Sequence, residues 1–216
     1  LRRISHLLAR SLSTSNESPE PLHQPNHAAS SGRLQRPAAN DGTHISSFRQ
    51  VLRRHGITMG LCALVGLVLP HALDRIQATT LSSFASPLSY LAATLALGVF
   101  LAFYQARRGH PPNLRNSLWI VYLLYISLVE ELAFRLLFPM WLGESIHLTG
   151  AIVVSNLIFA GIHYITLRWH WWNCLFVFAG GMGFSHMLAN YENLTLVILT
   201  HWFFTFLNTP TPPRGS

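Results

Sequence analysis

Residues 118–142 read LWIVYLLYISLVEELAFRLLFPMWL: a stretch of membrane-spanning length with Glu130, Glu131 and Arg135 at its middle. A charged side chain at the centre of a bilayer costs at least about 2.5–3.5 kcal/mol on insertion scales. Such groups are kept where they face the interior of a helical bundle and pair with one another, and they mark chemistry more often than support. This one segment therefore demands a multi-helix fold that can surround it.

The rest of the chain supplies the other helices. Half of the 216 residues are hydrophobic and only 11% are charged, a composition that excludes an ordinary soluble domain. Six apolar stretches, at about 57–73, 81–106, 118–142, 148–167, 171–190 and 193–209, predict an all-α, polytopic transmembrane bundle of about six spans. The first and last are short, and tilt or partial embedding accommodates them. Breaks are expected at Asp74-Arg75 and in GHPPN at 109–113. The domain reading is a basic, Ser/Pro-rich, disordered cytoplasmic tail over 1–54, a transmembrane domain over 55–209 and a short tail over 210–216. The opening LRRISHLLARSLSTS has the Arg- and Ser-rich character of a transit peptide or of a basic lead-in to a first span.

Every basic residue is arginine, and their placement sets the orientation. With the N-terminal tail in the cytoplasm, the tail arginines, Arg107, Arg108, Arg115, Arg168 and Arg214 all fall inside, and only Arg75 falls outside. Both termini are then cytoplasmic, in a bacterial inner membrane or an organelle membrane. The net charge of +7 is spread over tails and loops instead of one face, so no nucleic-acid partner is expected; membrane lipid is. Cys62 and Cys174 stand alone in apolar runs, without metal-ligand spacing or a disulfide framework.

Spacing divides the three intramembrane charges. Residues four apart share a helix face, so Arg135 is placed over Glu131 as a structural pair, and Glu130 points elsewhere, free for chemistry. Phe159 and His163 share a face, with Gly161 expected to admit a close helix neighbour. His201 lies in the last stretch, with Thr205 one turn further on and Asn208 next to Thr205 in space. His186 matches no pattern and reads as packing. Trp169, Trp171 and Trp172 read as an interfacial aromatic belt. One carboxylate and two imidazoles in a dry cavity can deprotonate a water and polarise a carbonyl. They can equally ligate zinc as Glu130, His163 and His201, and the residues leave that choice open. Rise per residue puts Glu130 and His201 at similar depths, about 18 and 20 Å from the cytoplasmic side, but His163 at only about 10 Å. A tilt, or a kink at Gly161, is expected to close that gap.

Glu130-Glu131-x-x-x-Arg135, then Phe159-x-x-x-His163, then His201 in a final span resembles the ordered motif set of the CPBP family, the CAAX-protease and bacteriocin-processing (ABI) membrane enzymes. The likeness covers about residues 115–209. It implies a bundle with a four-helix core and an intramembrane endopeptidase in which Glu130 activates water, His163 helps hold that water, His201 stabilises the oxyanion and Glu131 pairs with Arg135. It implies a metal-free glutamate mechanism, with zinc as the older alternative, and a peptide or lipidated protein as substrate. The chain departs from the pattern at Leu167 and Thr205, where family members often carry Asn one turn after each His. The competing functions are a non-catalytic immunity or scaffold protein of the same family and a proton-coupled transporter.

Overall fold

The computed structural model describes residues 34–36 and 44–213. The opening LRRISHLLARSLSTS and most of the segment read as a disordered tail lie outside the described residues. Within them the fold is all-α, with seven helices and one isolated antiparallel bridge, Gln35 to Trp169.

Helix α1 starts at Phe48–Val51, passes through a π-helical Leu52–Gly56 and continues as Ile57–Leu67. It begins inside the stretch assigned to the tail, because Ser47 and Gln50 form a capping box there: the Ser47 hydroxyl accepts from Gln50 N while the Gln50 side chain accepts from Ser47 N. The expected break at Asp74-Arg75 falls earlier, at Val68–His71, because Pro70 cannot continue a helix and His71 turns left-handed at φ 58°. α2, Ala72–Ala85, leaves α1 at 105°. The expected stretch 81–106 is likewise divided at Ser86, where Pro87 opens α3, Pro87–Arg107.

α4 begins at Leu114, capped by Asn113 Oδ1 on Asn116 N at 2.9 Å. It runs as an α-helix to Glu131, as a π-helix over Leu132–Leu137 and as an α-helix again over Phe138–Gly143. α5 is Leu148–Thr166, α6 is Trp171–Tyr191 and α7 is Leu194–Asn208, all within a residue or two of the sequence expectation. α4 is the central helix, packed by α1, α5 and α7. Trp119, Leu123, Ile126 and Phe134 from α4 meet Phe159 from α5 and Trp202 and Phe206 from α7 in one apolar core.

The outer surface carries many large apolar side chains. On α3, Leu88, Leu91, Leu95, Val99 and Phe103 are each more than half exposed. α3 and α5 are each long and apolar enough to cross a membrane, and the bent α1–α2 pair passes the same test as a unit. A helix that carries most of its apolar surface outward is matched to lipid instead of water. The chain is an integral membrane protein.

Close contacts fix the helices that matter for the site. Tyr125 Oη donates to Gly56 O at 3.1 Å, and a Cβ at Gly60 would come within 2.4 Å of that hydroxyl, so α1 lies tightly on α4. Gly161 does not mediate close packing: it is exposed, nothing lies within 4 Å of where its Cβ would be, and α5 is unbroken there. α5 is instead seated on α4 by Ser155 Oγ donating to Phe134 O at 2.8 Å and by the Phe134–Phe159 ring contact at 5.4 Å. The glycine that permits close approach is Gly181 on α6, where a Cβ would sit 2.2 Å from Asn156 Oδ1.

Candidate functional site

Glu130, His163 and His201 come from three helices, α4, α5 and α7, and the fold brings all three together in the buried interior. Glu130 Oε1 lies 3.7 Å from His163 Nε2, and Glu130 Oε2 lies 3.6 Å from His201 Nε2. A third imidazole, absent from the sequence reading, is closer than either. His55, from the π-turn of α1, sets Nε2 at 2.9 Å from Glu130 Oε1 and is itself buried.

Each ring is held from behind. His163 Nδ1 is 3.0 Å from Phe159 O, a carbonyl that can only accept, so this nitrogen carries the proton. His201 Nδ1 is 2.6 Å from Glu131 Oε1, and the carboxylate again takes the N–H. His55 Nδ1 is 2.8 Å from Thr166 Oγ1, whose own proton goes to Ile162 O at 2.7 Å. A hydroxyl has one hydrogen to give, so Thr166 accepts from His55 Nδ1–H. All three imidazoles are thereby locked with Nδ1 anchored and Nε2 turned to one carboxylate.

Glu131 therefore does more than pair with Arg135. Arg135 Nε is 3.5 Å from Glu131 Oε2, and the pair makes no hydrogen bond; the shorter contact of Glu131 is with His201. The π-helical turn begins at Leu132, so the four-residue spacing no longer stacks the two groups as an α-helix would. The Arg135 guanidinium lies over the Phe159 ring instead, with Cζ 4.0 Å from its centroid.

Aromatic side chains enclose the cluster. Phe159, Trp169 and His55 surround the His163 ring, and Phe184 packs on His201 at 4.8 Å. A cavity of about 130 Å³ opens beside Glu130, His55 and His163, with Leu167, Thr205 and Asn208 in its wall. A second cavity, of about 350 Å³, opens on His201 and shares Trp169, Thr205 and Asn208 with the first. His186 stands apart: it is exposed and bonded to Asn190. Trp171 and Trp172 stack on each other at the surface, whereas Trp169 turns inward to the site.

Residues 112–207 match the family model described as type II CAAX prenyl endopeptidase, Rce1-like. Over that segment the chain is similar to the Rce1-like CPBP family. No curated protein and no solved structure matches the chain. The Rce1-like segment contains Glu130, Glu131, Arg135, Phe159, His163 and His201, and it excludes His55. The helix period holds one signal for His55. Val51, His55, Met59 and Ala63 recur four residues apart and are all buried, so His55 lies on the inward stripe of α1. Its arginine neighbours Arg53 and Arg54 disguise it as part of a basic lead-in.

Proposed function

We propose that this Rce1-like protein is an intramembrane endopeptidase that hydrolyses a peptide bond with a water activated by Glu130. The observation that carries this reading is the convergence of three Nδ1-anchored imidazoles on one buried carboxylate. Groups so held need no reorganisation during reaction, the condition for efficient base and electrostatic catalysis.

Glu130 takes a proton from water as the water oxygen bonds to the scissile carbonyl carbon. His163 Nε2, with its lone pair directed into the cavity, orients that water. The carbonyl oxygen becomes an oxyanion. His201 meets it in the doubly protonated form, because Glu131 occupies Nδ1–H and only a second proton lets Nε2 donate. The Thr205 hydroxyl stands where relatives often carry Asn and supplies a further donor, with Asn208 beside it. Glu130 then passes its proton to the leaving nitrogen as the C–N bond breaks. His55 is a positioning residue: with Thr166 taking Nδ1–H, a second proton on the ring lets Nε2 donate to Oε1, which leaves Oε2 to face the reacting groups.

Zinc is the second reading, and a specific observation favours it. His55, Glu130 and His163 offer ligand atoms within 4.8 Å of one another, a set different from the Glu130, His163 and His201 expected from the sequence. Anchored Nδ1–H groups with free Nε2 lone pairs suit such an ion, which would supply a Lewis acid and an acidified water. In the glutamate reading the same approach of His55 Nε2 to Glu130 Oε1, 2.9 Å, is a direct hydrogen bond.

The test is cleavage of a farnesylated CAAX peptide by purified protein. His163→Ala and His201→Ala each abolish product formation while the protein stays monodisperse, and metal-free protein, checked by elemental analysis, keeps its activity. Cleavage that survives both single changes contradicts the assignment, and activity restored only by zinc moves it to the metal reading.

A further inference from the structure

Beside the two cavities lies a piece of the chain's own N-terminal segment. Arg36 N donates to Arg168 O at 2.7 Å and His170 N donates to Leu34 O at 3.0 Å, the two bonds that flank the antiparallel pair Gln35–Trp169. Asn173 Nδ2 adds a bond to Leu34 O at 2.9 Å. Arg36 reaches Tyr164 O at 3.1 Å, with its guanidinium 3.9 Å above the Tyr164 ring. Gln35 is buried and lines the cavity that holds Glu130; Leu34, one residue before, lines the cavity that holds His201. Trp169, the partner in the bridge, lines both. Successive residues of a strand point to opposite sides, so this short segment serves the two cavities in turn.

A peptidase must hold its substrate extended, and pairing a peptide's backbone to an exposed main-chain edge is the general way to do so. We propose that the Arg168–His170 edge is the docking strand for the substrate's peptide backbone, and that Leu34–Arg36 occupies this edge as an internal stand-in that an incoming substrate displaces. The inference rests on the peptidase reading of the site. Backbone bonds serve any sequence, while the cavities on either side of Trp169 select the flanking side chains. Occupation by the chain's own segment lowers apparent affinity by the fraction of molecules in which the edge is free.

The experiment uses Arg36→Pro, which removes the N–H given to Arg168 O and the contacts with Tyr164, in the full chain. The probe is a fluorescein-labelled farnesylated CAAX peptide, and binding is measured by anisotropy in the Glu130→Gln background, where no turnover is required. Release of the segment tightens binding about tenfold, the equivalent of about 1.4 kcal/mol. In the chain with Glu130 intact, KM falls by a similar factor and kcat is unchanged. N-methylation of the peptide's backbone amides, one at a time, abolishes the gain at the position that pairs with Arg168 O. Equal affinity with and without Arg36→Pro, weaker binding with a lowered melting temperature, or binding in neither form overturns the proposal. Tighter binding without any hydrolysis by the chain with Glu130 intact keeps the docking edge and rejects the peptidase reading.

Discussion

At the scale of single residues, the site is a set of hydrogen bonds that each leave one atom free. His55 is the informative case, because it holds Glu130 and takes no direct part in the proposed bond changes. A hydrogen bond to a charged group contributes about 1.5–3 kcal/mol, so His55→Ala lowers kcat about 10- to 100-fold with KM little changed. His55→Gln, which keeps a polar group in reach of Oε1, recovers a measurable part of that loss. A steady-state comparison of the three proteins checks this; unchanged kcat in the alanine variant removes His55 from the account. Glu130, Glu131, Arg135, His163 and His201 were legible in the sequence because polar groups stand out in apolar runs, and the fold does bring them together. His55 stood among arginines, where another polar residue carries no contrast. The Glu131–His201 contact was not legible, since it joins residues 70 positions apart whose helices meet only in the fold.

At the scale of elements, the helices were readable and their interruptions less so. The stretches at 148–167, 171–190 and 193–209 became α5, α6 and α7 nearly residue for residue. The expected spans 57–73 and 81–106 ran across Pro70 and Pro87, because mean apolarity hides a single missing N–H. The two π-turns, at Leu52–Gly56 and Leu132–Leu137, have no composition signature, yet one carries His55 and the other follows Glu131 directly. Packing of α6 makes a sharp prediction. Gly181→Ala forces its Cβ against Asn156 Oδ1, on a side chain already bonded to Ile152 O and Ser185 Oγ, and destabilises the fold by about 1–3 kcal/mol. Gly161→Ala and Gly183→Ala meet nothing within 4 Å and leave the melting temperature unchanged or higher. Thermal melts in detergent distinguish the three, and equal melting of all three variants contradicts this packing.

At the scale of the whole molecule, the exterior is apolar where a soluble protein's is polar, and the charged side chains of Glu130, Glu131 and Arg135 are buried inside. On a water-facing surface, Leu95→Arg would change stability by less than about 0.5 kcal/mol. On the outward face of α3 it costs about 2.5–3.5 kcal/mol of insertion energy and reduces the fraction of protein resistant to alkaline extraction from membranes. Wild-type membrane retention of Leu95→Arg contradicts the lipid-facing role of α3. The bundle closes an aromatic-lined pocket around one carboxylate, and the proposed function rests on that carboxylate acting as a base. Glu130→Gln preserves size and hydrogen bonding and removes the base, so turnover of a farnesylated CAAX peptide is the most direct measurement. The expected result is a folded protein of normal abundance whose kcat falls by about 10²–10⁴-fold. Cleavage by Glu130→Gln at the rate of the unaltered chain would contradict it.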